Sequence, residues 1–168
     1  RILSKRLSEW SKNLNRVDQK YVICSGGGPG IMKAANRGAS EAGAKSVALG
    51  ISLPFENSPN PYVDPELNFE FHYFFTRKFW FSYLAKALVI MPGGFGTLDE
   101  FFEILTLIQT GKIKKDQPIV LFGEEYWSKL INFETLVDYG VIDRKDLDLF
   151  FLTSSVDEAY EHITSRLG

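Results

Sequence analysis

Cysteine is almost missing from this 168-residue sequence. A lone Cys24 excludes an intrachain disulfide, and no stretch reads as an export signal, so the cytoplasm is the expected compartment. Cys24 falls in an apolar strand pattern and is expected to be a small buried hydrophobe. No apolar run approaches the roughly 18 residues that a membrane-spanning helix needs, and Ala87 to Met91 is only strand-length. An excess of one charge is missing too. The formal net charge is −2 with both signs interspersed, which removes any general reason to bind nucleic acid or an anionic membrane surface. Phosphate recognition, if present, must be local. No His, Cys and carboxylate cluster has metal-ligand spacing, so no metal is expected.

What is present is an ordinary globular mixture, 45% hydrophobic, 14% aromatic and 24% charged, in a length that suits one domain over residues 1–168. Ile2, Leu3, Leu7, Trp10 and Leu14 repeat at helical spacing, so residues 2–14 read as an amphipathic helix. An α/β chain usually opens with a strand, so a further strand ahead of Arg1 is expected. Tyr21 to Cys24, Ser46 to Leu53, Asn68 to Phe74, Ala87 to Met91, Ile119 to Phe122 and Phe150 to Leu152 read as strands. Helices are expected from Ile31 to about Ala42, Arg77 to Lys86, Thr97 to about Thr110, Tyr126 to Leu136 and Val156 to Arg166, with Gly43 and Gly111 ending two of them. Pro54 to Pro65 holds four prolines and two asparagines and reads as a long loop. Strands alternating with helices imply a doubly wound α/β fold, a parallel sheet with helices on both faces. Ligands of such sheets lie at the carboxyl ends of the strands.

Two glycine clusters fall at that end, each between a strand and a helix. They are Gly26-Gly27-Gly28-Pro29-Gly30 and Pro92-Gly93-Gly94-Phe95-Gly96-Thr97. Glycine lets the backbone turn tightly against a ligand, and the following helix offers unpaired N–H groups and the positive end of its dipole. One such turn also serves plain strand-to-helix packing; two in one small domain point to an anion site. The usual motifs do not fit. The dinucleotide pattern G-x-G-x-x-G, begun at Gly26, meets Ile31 where it needs glycine, and no G-x-x-x-x-G-K-[ST] is present.

The charges beside the second turn carry two readings each. Thr76 is positioned to cap a helix that begins Arg77-Lys78, where cations oppose the helix dipole by a few tenths to ~1 kcal/mol. They are either a solvated pair or they face a bound anion. Thr97-x-x-Glu100 has the form of a capping box, yet a carboxylate one turn from a phosphate loop also suits a general base. Glu103 lies at i+3 on the same face and is the second candidate. His72 reads as an ordinary sheet histidine.

Pro92-Gly93-Gly94-Phe95-Gly96-Thr97-Leu98-Asp99-Glu100 resembles the P-G-G-x-G-T-x-x-E signature of the LOG ("lonely guy") family. Arg77-Lys78 and Gly26-Gly27-Gly28-Pro29-Gly30-Ile31-Met32 resemble its two other markers, in the family's order. The resemblance spans about residues 21 to 122. It implies a three-layer, modified Rossmann-like fold, no cofactor, and a homodimer or higher homo-oligomer with sites near the subunit interface. It also implies a first strand and a short turn that help line the site. The family carries the old label "possible lysine decarboxylase", but its better-supported activity is phosphoribohydrolase. That reaction cleaves nucleoside 5′-monophosphates, AMP or cytokinin nucleotides among them, to free base and ribose 5-phosphate.

The resemblance implies Glu100 and Arg77 as the catalytic pair. It implies substrate contacts at Gly27, Gly28, Met32, Lys78, Gly93, Gly94, Gly96, Thr97 and Glu103, with Gly93, Gly94, Gly96 and Thr97 cradling the 5′-phosphate. Scission of a ribosyl N-glycosidic bond passes through an oxocarbenium-like state, which a carboxylate stabilises while it orients or deprotonates water. Arg77 could bind phosphate, ribose oxygens or the departing base, and the residues do not choose among these. A binding module is the other reading, because molybdenum-cofactor carriers share the fold and hold a phosphorylated pterin without catalysis. Nothing in the chain marks a Schiff-base lysine within a pyridoxal site.

Overall fold

The computed structural model describes residues 1–14, 21–52, 60–114 and 116–168. The chain divides into two compact units, Arg1–Leu84 and Ala85–Gly168. Each carries a three-stranded, all-parallel sheet flanked by helices, so the α/β class holds.

In the N-terminal unit the order is β1 (Ile23–Ser25), β2 (Ser46–Ile51), β3 (Asn68–Phe71). Parallel neighbours require crossovers, and α2 (Ile31–Glu41) supplies the first. α1 (Ile2–Asn13) packs on α2 at Gly38, where a Cβ would lie 2.8 Å from Ser4 Cβ and closer still to the Arg1 carbonyl. The buried face of α1 is Leu3, Ser8 and Ser11, while Ile2 is exposed, so small hydroxyls and not the full apolar stripe meet the neighbour. Ser11 Oγ donates to the Tyr21 carbonyl at 2.7 Å and accepts from the Tyr21 N–H at 2.8 Å, tying this helix to the entry of β1. α2 ends as expected at Gly43, whose φ of +61° suits glycine. Within the expected Pro54 to Pro65 loop, residues 53–59 lie outside the described residues, and Pro65–Leu67 forms a 3₁₀ turn.

α3 (Phe74–Leu84) starts three residues earlier than the sequence suggests, and β3 stops at Phe71. Thr76 is therefore not a cap. It lies inside the first turn, and its hydroxyl donates to the Tyr73 carbonyl at 2.8 Å. The outer face of α3 exposes Phe74, Phe75, Phe79, Trp80 and Tyr83, with Phe75 at 70%. Phe79 and Tyr83 stack at 5.4 Å. Cys24 is exposed, against expectation. β1 is an edge strand, and Ser25 rather than Cys24 takes its inward place.

The C-terminal unit orders β4 (Leu88–Ile90), β5 (Ile119–Phe122), β6 (Phe151–Thr153), with α4 (Phe95–Gln109) between the first two. Ile119, Val120 and Leu121 are all at most 1% exposed, so both faces of β5 are covered. Ile119 and Leu121 join Ile90, Phe101, Ile104 and Trp127 in one core. The Phe101 ring meets Trp127, Phe133 and Phe150 at centroid distances of 6.0, 6.2 and 5.7 Å. Emptying such a position costs about 3–5 kcal/mol. α7 (Val156–Leu167) also packs on β5. The helix expected over Tyr126 to Leu136 is two, α5 (Glu124–Leu130) and α6 (Phe133–Asp138), because Ile131 and Asn132 are extended.

Candidate functional site

The first glycine turn leaves β1 and enters α2. Gly27 has φ +76°, and a Cβ there would come within 2.9 Å of Ala48 Cβ. Glycine is required by both conformation and space. The Gly27 N–H donates to Ser25 Oγ at 3.0 Å, and Ser25 Oγ–H in turn donates to Asn36 Oδ1 at 2.6 Å. Asn36, fully buried, also accepts from Asn60 Nδ2 at 3.0 Å and donates to Ser46 Oγ at 2.9 Å. Buried amides hold stability only when satisfied, and this one fastens the turn to β1, β2 and α2. Asn36 and Ser25 were not anticipated. The available signal is an Asn inside an alanine-rich helix, where its propensity is poor.

Arg77 is held against this turn. Its Nε–H donates to the Leu49 carbonyl at 2.8 Å, and its guanidinium lies 5.0 Å from the Phe81 ring centroid. A Cβ on Gly26 would stand 2.8 Å from Arg77 Nη2 and 2.8 Å from Met32 Sδ. Of the expected residues, then, Arg77, Met32 and the first glycine turn come together at the carboxyl ends of β1 and β2. Arg77 is no loose surface charge. Lys78 is half-buried in the same helix. His72, past the end of β3, is exposed, and its Nδ1 is 3.4 Å from Ser52 Oγ.

The second glycine turn leaves β4 and enters α4. The helix starts at Phe95 with Gly94 as N-cap, and no side chain caps it. Thr97 and Glu100 are thus the third and sixth helical residues, and the capping-box expectation is corrected: both sit too far along the helix to close its end. The first helical hydrogen bond runs from the Leu98 N–H to the Gly94 carbonyl at 3.1 Å. That geometry leaves the N–H groups of Phe95, Gly96 and Thr97 without helical acceptors. Gly94 and Gly96 face open space, with nothing within 4 Å of a Cβ. Gly93 is the crowded member, its Cβ position filled by Thr97, whose Cβ would be 2.9 Å away. Phe95 is 92% exposed. Glu100 and Glu103, both half-buried, lie one turn apart on one face of α4. Tyr126, also not anticipated, donates its hydroxyl to the Gly93 carbonyl at 2.6 Å.

Among the described residues no group of three or more His, Cys, Asp or Glu could hold a metal, and no helix is long and apolar enough to cross a membrane.

Residues 32–163 match the family described as Possible lysine decarboxylase. The chain belongs to this family. Within it, 147 residues are 26% identical to a rice (Oryza sativa subsp. japonica) protein named probable cytokinin riboside 5′-monophosphate phosphoribohydrolase LOG4, covering 85% of this chain and 62% of that one. A stretch of 116 residues is 31% identical to an Escherichia coli pyrimidine/purine nucleotide 5′-monophosphate nucleosidase, covering 60% of this chain and 24% of that enzyme. The chain therefore spans less than two thirds of the length of these relatives. In fold it is similar to the molybdenum cofactor carrier protein of Chlamydomonas reinhardtii, with a TM-score of 0.65 at 18% identity over 99% of this chain and 86% of that one. That likeness supports the Rossmann-like α/β fold and nothing finer.

Proposed function

We propose that this chain is a nucleoside 5′-monophosphate phosphoribohydrolase, cleaving AMP-like or cytokinin-type nucleotides to free base and ribose 5-phosphate. The observation that carries the reading is the second glycine turn. Its uncapped helix N-terminus carries two glycines that face open space, Gly94 as N-cap and Gly96 in the first turn, in a chain similar to a phosphoribohydrolase and a nucleosidase. Three N–H groups with no helical acceptor and the positive helix end favour a phosphate dianion there.

Water adds to C1′ of the ribose while the N-glycosidic bond breaks, and the base leaves carrying the electron pair and takes up a proton. The positive charge that builds on the ribose ring is offset by a carboxylate, and Glu100 is assigned that role together with orienting the water. With the capping-box geometry gone, local helix-end structure no longer accounts for a glutamate at this position. Glu103, on the same face, is assigned a supporting substrate contact. Arg77 is the second catalytic group, its guanidinium fixed at one nitrogen by the Leu49 carbonyl and leaving the others for substrate oxygens or the base. A phosphate anchor makes the cleavage effectively intramolecular in orientation.

A second copy of the chain is proposed to cover the aromatic face of α3, since exposed apolar patches of this kind mark interfaces. Sedimentation at micromolar concentration should give a dimer or larger species, and a clean monomer would contradict it. The activity itself is tested by incubating the chain with a panel of nucleoside 5′-monophosphates and following free base by chromatography. Base release from at least one is expected. Tight nucleotide binding without any release would make the chain a carrier.

A further inference from the structure

Tyr126 sits beside Trp127, the best-anchored residue of α5. Trp127 is fully buried, and its indole N–H donates to the Phe122 carbonyl at 3.0 Å. The Tyr126 ring packs edge-on against it at 5.0 Å. The phenol is therefore delivered from a rigid base, and it donates to the Gly93 carbonyl at 2.6 Å. A second contact joins the same pair of segments. Gly123, with φ +104°, ends β5 so closely under Pro92 that a Cβ would lie 3.1 Å from the proline ring.

The Gly93–Gly94 peptide is trans and planar, so its carbonyl and its N–H point to opposite sides. Binding the carbonyl to Tyr126 turns the Gly94 N–H away from α5. We propose that Tyr126 is a positioning residue, whose hydroxyl fixes this peptide so that the Gly94 N–H is presented to the phosphate of the substrate. The inference rests on the phosphoribohydrolase reading. It adds a residue outside the glycine signature that tunes affinity for the phosphate and has no part in recognising the base. Glycines at 93 and 94 permit more than one orientation of this peptide, and the Tyr126 hydroxyl selects one.

The test is Tyr126→Phe in the full chain, which keeps the ring and removes one oxygen. Calorimetry would measure ribose 5-phosphate, inorganic phosphate and free adenine, with Tyr139→Phe, a largely exposed tyrosine, as control. Affinity for both phosphate ligands is expected to fall about 10-fold, the scale of one well-made hydrogen bond, with adenine affinity and melting temperature unchanged. Unchanged phosphate affinity would overturn the inference. So would an equal loss for adenine, or a collapsed melting temperature, since either makes the hydroxyl a general structural contact. A wild-type chain that binds neither phosphate ligand would instead refute the nucleotide reading, and the inference would fall with it.

Discussion

The two glycine turns look alike in sequence and differ in what they do with their backbone. In the first, the Gly27 N–H is already taken by Ser25, and Arg77 and Met32 fill the space over Gly26. In the second, Gly94 and Gly96 face nothing within 4 Å; the helices after both turns lack a side-chain cap and Gly30 is open as well, so the difference lies at Gly26 and Gly27. Glycine at 26 and 27 serves close packing, and glycine at 94 and 96 borders open space.

Breaking the chemistry attached to the open turn should give the largest effect. Glu100→Gln keeps size and one acceptor oxygen but not charge, so turnover should drop by at least roughly 100-fold in a base-release assay. The melting temperature should stay near wild type, and Glu103→Gln should cost less. Near-normal release from Glu100→Gln would remove Glu100 from the mechanism.

Methyl groups placed on the two turns sharpen the contrast. Gly94 has φ −88°, which any residue adopts, and open space beyond it. Gly94→Ala should fold normally and weaken ribose 5-phosphate binding by about 10-fold or more, because the methyl takes ligand space. Gly26→Ala has no such room and must push Arg77 or Met32 aside. Its effect should appear in turnover and in the position of Arg77, with phosphate affinity less changed. Equal phenotypes would mean the turns do not differ as described.

A smaller effect is expected from the network behind the first turn. Asn36→Ala strands Ser25, Ser46 and Asn60, and urea unfolding should show a loss of about 1–3 kcal/mol. No change would mean the network is solvated or redundant. The smallest effect is a pH dependence in the C-terminal unit. His162 stacks on Phe151 at 4.5 Å, and burial holds its pKa below the ordinary value, assisted by Arg166 and opposed by Asp116. A depressed histidine contributes full stability above its unfolded pKa near 6.5 and loses it as pH falls below that value. Melting between pH 7.5 and 5 should therefore drop more for wild type than for His162→Phe, and parallel curves would contradict this.

The strands were readable in the sequence because short apolar runs between glycine, proline and polar punctuation have few other solutions. The helix starts at Ile31 and Val156 were readable as well, but those of α3 and α4 were not. Phe74 and Phe75 have strand-like preferences, so the start of α3 was hidden inside an apparent strand, and Gly96 concealed the first turn of α4. That shift takes Thr97 and Glu100 out of a capping box. The signature named the glycines and charges, but the groups that hold them were invisible. Arg77 reaches a carbonyl 28 residues away and Tyr126 one 33 residues away, and no local pattern reports such pairs.

The central claim is that the open second turn binds a 5′-phosphate, and comparing AMP with adenosine as substrates tests it most directly. A dianion anchored by free N–H groups at a helix end should raise kcat/KM for AMP at least about 100-fold over adenosine. Equal rates of adenine release from the two would contradict the account.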